Sequence, residues 1–121
     1  MFDNTILDIS DGVADHDYDL REVGNQRSVR SESAAPLDQP ATLTIQHQEV
    51  GSGIKSVRRS VARFDRVVEN EEGEQGTISC YFNVVQPLKV ATAAETAKTL
   101  TEMVSFLNTA GYTTKFLAGE I

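Results

Sequence analysis

The chain has one cysteine, no tryptophan, two histidines and three prolines in 121 residues, and its apolar runs are only a few residues long. Each scarcity excludes something. The lone Cys80 rules out an internal disulfide framework, and its place among alternating apolar residues predicts a buried, inert thiol. No stretch is apolar enough to cross a bilayer, so no membrane partner is expected. No basic segment followed by an apolar stretch opens the sequence, which argues against export by a signal peptide. The scattered histidines and cysteine supply neither a metal-ligand cluster nor a Ser/His/Asp or Cys/His pairing. Carboxylates abound, but in turns rather than paired at a strand end, so no enzyme activity and no cofactor are expected. Asp8, Asp11, Asp15, Asp17 and Asp19 lack the spacing of a calcium loop and read as solvated. His16 stands among them without a second histidine or cysteine to complete a metal site. Gly51-Ser-Gly53 is a turn, with no lysine-bearing phosphate-loop pattern after it.

Basic residues are scarce too: 11 against 18 acids, a net charge of −7, which at first sight argues against nucleic acid. Their distribution says otherwise. Residues 55–66 hold five cations (Lys55, Arg58, Arg59, Arg63, Arg66) and one acid (Asp65), a local +4 that leaves −11 for the remainder. A basic strand in an acidic protein points to one face for phosphates and others that keep anions away. The simpler alternative is a solvated edge strand whose arginines discourage edge-to-edge pairing.

The length leaves room for one domain, 1–121, divided into an N-terminal hairpin (1–23), an antiparallel sheet (27–87) and C-terminal helices (92–121). Thr5 to Ile9 is a short apolar segment, Ser10-Asp-Gly12 a turn, and a return strand is expected over about 18–23. Arg27 to Glu32 alternates weakly. The loop at 34–40 carries two prolines that block pairing. Ala41 to Val50 alternates cleanly, with Leu43, Ile45 and His47 on one face and Thr42, Thr44, Gln46 and Gln48 on the other. His47 reads as a satisfied core or edge histidine. Two long strands then flank the acidic loop 69–76. The second limb presents Ile78, Cys80, Phe82 and Val84 to one side, and Thr77, Ser79, Tyr81 and Asn83 to the other. A hairpin centred near Gly73 sets Phe64 opposite Phe82 and Arg63 opposite Asn83. The polar face then carries Arg59, Arg63, Tyr81 and Asn83 together. Guanidinium groups beside an aromatic ring and an amide are what an unstacked RNA base and its phosphates require.

After Pro87 the period becomes helical. Thr92 and Glu95 form a capping box, and Ala93, Ala97, Leu100, Val104 and Leu107 make an apolar stripe widened by Met103 and Phe106. The helix is expected over 93–110, with Gly111 left-handed after it. A second short helix is expected over 113–118, setting Phe116 and Leu117 against the core. Strands first and helices last give an α+β class without βαβ units. A meander of about five strands is roughly 24 Å wide, and one helix about 27 Å long and roughly 10 Å across cannot cover it. The economical completion is a two-fold dimer in which each copy's helices cover the partner's sheet, with no stable folded monomer.

The order of hairpin, strands, arginine-rich strand, Tyr-x-Asn strand and two terminal helices resembles the coat proteins of single-stranded RNA bacteriophages, the leviviruses. Arg58-Arg-Ser-Val-Ala-Arg-Phe-Asp65 resembles the family's basic strand, and Tyr81-Phe-Asn-Val-Val-Gln-Pro-Leu-Lys-Val-Ala-Thr92 its last strand and the start of the long helix. The likeness runs from about Ala41 to the end and is looser before it. It implies an interlocked obligate homodimer with a continuous ten-stranded sheet, many copies of which form an icosahedral shell of triangulation number three. It also implies that the sheet faces inward onto genomic RNA and, in several members, binds one hairpin to repress replicase translation. By position, Arg59 and Arg63 match the family's basic RNA contacts, Tyr81 the tyrosine that stacks on a loop base, and Asn83 the asparagine beside it. Thr44 and Gln46 match polar positions lining adenine pockets. Val61 departs from a polar contact, and Gln48 from an arginine. The acidic loop matches the one gathered at the shell's symmetry axes, where its four acids must splay into water or be bridged by divalent cations. The implied location is the virion, after assembly in the bacterial host cytoplasm. The competing reading is a small dimeric cellular module that binds RNA or a peptide and assembles no further.

Overall fold

A computed structural model of the chain describes residues 2–120. Six strands form one antiparallel meander in chain order: β1 (Thr5–Ser10), β2 (Asp15–Gly24), β3 (Arg27–Glu32), β4 (Ala41–Val50), β5 (Val57–Glu69) and β6 (Gln75–Pro87). Helices α1 (Ala93–Asn108) and α2 (Tyr112–Leu117) follow. The α+β class holds, and both strands of the N-terminal hairpin join the sheet rather than only part of it. The chain divides into two compact units: Met1–Val50 with Arg58–Val85, and Gly51–Val57 with Gln86–Ile121.

In the first unit the sheet curls. Tyr18 on β2 and Phe64 on β5 meet edge to face with ring centroids 5.7 Å apart. Three strand steps in a flat sheet would separate them by about 14 Å. The concave side holds a small core of Tyr18, Ala41 and Leu43, with Ile6, Ile9, Ala35, Ile45 and Phe64 packed around it. A charged network borders that core. His16 places Nε2 2.8 Å from Asp11 Oδ2 and Nδ1 2.5 Å from Glu32 Oε1, while Glu32 Oε2 accepts from Arg66 Nη2 at 2.9 Å. Arg66 also donates to the Tyr18 hydroxyl at 3.3 Å. The N-terminal acids are therefore not merely solvated. Asp11 additionally accepts from the backbone N–H groups of Val13 and Ala14, Asp17 from that of Asp8, and Asp19 from the Thr5 hydroxyl.

Arg30 is fully buried. Its guanidinium donates to the Asp3 and Phe2 carbonyls and to Ser28 Oγ, and lies 6.0 Å from the centre of the Phe2 ring. A buried cation is tolerated only with its donors satisfied, and here carbonyl and hydroxyl oxygens do that without a carboxylate.

The long hairpin closes with Asn70 N–H donating to Glu74 O at 2.9 Å and Gly73 N–H to Asn70 O at 3.1 Å, and Gly73 is left-handed at φ 83°. That is a three-residue loop with its glycine in third place. Its centre is Glu72, not Gly73. Three contacts fit the resulting pairing: Asn70 with Glu74, Ser79 with Asp65, and Leu88 with Ser56. Continued along the ladder, it sets Phe64 opposite Cys80, Ala62 opposite Phe82 and Arg63 opposite Tyr81. The expected partners Phe64–Phe82 and Arg63–Asn83 are thus corrected by two residues, a shift that leaves every side chain on its face.

In the second unit, Gly53–Lys55 forms a 3₁₀ turn, so Lys55 precedes the basic strand rather than lying on it. The capping box of α1 forms as expected: Thr92 Oγ1 accepts from Glu95 N–H, and Glu95 Oε1 accepts from Thr92 N–H. The helix ends at Asn108, two residues early, because Thr109 is extended. Gly111 is left-handed at φ 82° and leads into α2. No residue of α1 or α2 is buried, and Phe116 and Leu117 are exposed rather than set into a core. Cys80, expected to be buried, is exposed as well, as are Ile78 and Phe82 on the same side of β6. Among the described residues no helix is long and apolar enough to cross a membrane.

Candidate nucleic-acid interface

The convex side of the sheet is where alternation leaves polar side chains. Registers build it strand by strand. Arg27 of β3 stands opposite Gln46 of β4, and Val29 opposite Thr44. Between β4 and β5, three contacts fit one register: Val67 N–H to Pro40 O at 3.0 Å, His47 Nδ1 to Ser60 Oγ at 2.8 Å, and Arg58 to Glu49 at 2.7 Å. That register sets Thr44 opposite Arg63, Gln46 opposite Val61 and Gln48 opposite Arg59. With the β5–β6 pairing, two neighbouring rows cross the strands. One reads Val29, Thr44, Arg63, Tyr81; the next reads Arg27, Gln46, Val61, Asn83.

All six residues expected from sequence therefore share one face of one compact unit. Gln46, Arg59, Arg63, Tyr81 and Asn83 are exposed, and Thr44 is half-buried. Tyr81 is 69% exposed, a ring with nothing stacked on it among the described residues. Such a ring beside a guanidinium can take a base on its face and a phosphate at its edge. His47 lies on the opposite side of β4, bonded to Ser60 and exposed.

Three details were not read from the sequence. The two other arginines of the basic strand have carboxylate partners. Even-numbered Arg58 and Arg66 point to the other side, where Glu49 and Glu32 pair with them. Arg27 adds a cation from β3, exposed and 3.6 Å from Glu22 Oε1. Asp65 adds an acid within the face: its Oδ1 accepts from Arg63 Nε at 2.9 Å and from Ser79 Oγ at 2.5 Å. The Ser79 bond first and Arg63 after it, against the opposing effect of burial, hold the Asp65 carboxyl below its ordinary 3.8. The signal was available, since Asp65 shares the odd numbering of Arg59 and Arg63. Among the described residues no cluster of three metal-ligating side chains occurs.

No protein-family model and no curated protein matches the sequence. Solved structures do match its fold. A virus-like particle of Beihai levi-like virus 21 superposes with a TM-score of 0.80 at 14% identity, over 100% of this chain and 98% of that one. The coat protein of bacteriophage EMS014 gives 0.76 at 18% identity, over 100% and 99%. A virus-like particle of bacteriophage GQ-907 gives 0.72 at 14% identity, over 91% and 86%. The fold of this chain, from end to end, is that of RNA-phage coat proteins.

Proposed function

From that fold we propose that the chain is the structural coat protein of a single-stranded RNA phage. Two copies interlock as an obligate dimer, and dimers close into an icosahedral shell that encloses genomic RNA against the convex sheet face. The observation that carries the proposal is the fold match to virus-like particles, over the whole of this chain in one case and 91% of it in another. Physical chemistry supports the dimer. Ile78 and Phe82 on β6, and Leu100, Met103, Val104 and Phe106 on α1, are exposed in the single chain. Large apolar side chains left exposed on each of the two units mark an interface, and an interlocking second copy removes them from water.

RNA contact is assigned to Arg59 and Arg63 for phosphates, Tyr81 for stacking, and Asn83, Thr44 and Gln46 for base or sugar edges. The same face is suited to holding one hairpin, which is how replicase translation would be repressed. The location that follows is the virion, after assembly in the host cytoplasm.

The test is expression of the chain alone, with light scattering, negative-stain microscopy and assay of extracted nucleic acid. Closed particles that contain RNA are expected. Discrete dimers at native salt would refute the shell and leave a cellular binding module. Particles devoid of RNA would refute the packaging role of the sheet face.

A further inference from the structure

Arg63 is the best-placed cation on the proposed RNA face, directly across the ladder from Tyr81, yet it is not free. Asp65, two residues along the same strand, accepts from its Nε at 2.9 Å. The carboxylate is itself held: Ser79 Oγ, on the neighbouring strand, donates to the same Oδ1 at 2.5 Å, and Arg63 Nη2 reaches Ser79 Oγ at 3.5 Å. By contrast, Arg59 has no ion-pair partner among the described residues. We infer that Asp65 is a specificity-determining residue of this face: it withholds the charge of Arg63 from phosphates that arrive without a matching base. The inference rests on the convex face being the RNA surface.

The chemistry is a competition. A phosphate that takes Arg63 leaves Asp65 with a half-buried negative charge beside it, partnered by Ser79 alone, and like charges this close repel. A nucleotide whose base also presents an exocyclic amino group, such as cytosine N4 or adenine N6, gives Asp65 a new donor as it takes the guanidinium. A nucleotide without that group does not. Asp65 therefore costs little to the right ligand and much to a bare polyanion. Side-on pairing through Nε also leaves Nη1 of Arg63 unengaged among the described residues, so the arginine is held without being used up.

The probe is a labelled oligouridine strand, which has no exocyclic amino group, titrated by anisotropy into purified protein dissociated to its smallest stable oligomer. Asp65→Asn should steepen the salt slope by about 0.7, one single-strand phosphate contact regained. At about 0.1 M salt, one such counterion is worth roughly fivefold in affinity relative to 1 M, so oligouridine binding should tighten by about that factor. Ser79→Ala, which loosens the hold on Asp65, should move both quantities in the same direction by less. In an Arg63→Ala background, Asp65→Asn should give no gain. Matching urea midpoints keep folding out of the comparison.

Unchanged oligouridine affinity and slope in Asp65→Asn would overturn the inference. So would an equal gain in the Arg63→Ala background, which would make Asp65 a general surface charge. Weaker binding would overturn it too, since Asp65 would then serve to position Arg63 for every ligand. If Arg59→Ala and Arg63→Ala both leave oligouridine binding at the parental level, the face is not the RNA surface, and the underlying reading fails with the inference.

Discussion

Replacing Glu32 by glutamine removes one charge from the centre of the network beside the core while keeping its shape. The Glu32 side chain is 8% exposed, accepts from His16 on one oxygen and is paired with Arg66 on the other. Removing one partner from a fully buried ion pair costs about 3–5 kcal/mol. Here the Arg66 side chain is 39% exposed, so water softens the loss. About 2–3 kcal/mol is the expected cost, in line with the loss of charge-assisted hydrogen bonds. For a chain of this size that corresponds to a fall of about 1 M in the urea midpoint.

The pH profile supplies a second readout. Hydrogen bonds donated by His16 to Asp11 first and Glu32 second raise the His16 pKa above its ordinary 6.5, against the effect of burial. Folding therefore favours protonated His16. That stabilisation is complete below about 6.5 and is lost as pH rises through the raised value. Burial pushes Glu32 up, but its bonds to His16 and Arg66 outweigh that and hold it below 4.5. Its stabilisation is present above 4.5 and disappears as pH falls through the lowered value. Glu32→Gln should start its alkaline loss of stability at a lower pH than the parent and lack part of the acid loss. A variant with the parental urea midpoint and the parental alkaline limb would show that the network contributes nothing to folding.

Three further outcomes are expected. Phe82→Ala should destabilise the dimer by about 3 kcal/mol, as truncation of a phenylalanine buried on dimerisation does; unchanged denaturation with weakened RNA binding would instead put Phe82 on the RNA side. Tyr81→Ala should weaken RNA binding by about 1–3 kcal/mol without altering the salt slope, whereas Arg59→Ala should flatten it; filter binding at several salt concentrations separates the two. Thr92→Ala removes the Oγ1 acceptor of the capping box, leaving only the Thr92 N–H to Glu95 half, and should cost about 1 kcal/mol, read as lower helicity and a lower denaturation midpoint, and Thr92→Ser should restore most of it.

Alternation made the long strands legible, because a period of two survives any tertiary context that keeps one side apolar. It fixed the faces of Leu43, Tyr81 and Asn83 correctly while leaving the pairing partners two residues off, since faces depend only on parity and partners depend on the turn. Glycine marks this loop without locating its centre, because a left-handed residue here occupies the last of three loop positions. The capping box was legible because Thr92 and Glu95 act within one turn of helix. The His16 network was not, because Glu32 meets His16 only through the pairing of β2 with β3, and Arg66 reaches Glu32 from β5 only through the curl of the sheet. Arg30 was invisible for a similar reason: its partners are carbonyl oxygens, which every residue has. The segment 55–66 looked uniformly basic in a linear count, but parity divides it, sending Arg58 and Arg66 to carboxylates on one side and Arg59 and Arg63 to the other.

The closure of the β5–β6 hairpin bears on how chain length is free to drift. Asn70 and Glu74 seal the loop, so residues added between Glu71 and Glu72 enlarge the tip and leave every pairing below it intact. One residue added within β5 has a different effect. It turns every side chain on one side of the insertion to the opposite face, exchanging Arg63 and Asp65 for Phe64 and Arg66 unless a bulge absorbs it. Insertions and deletions among chains of this fold should therefore collect at the tip and be nearly absent from the strands that lead to it.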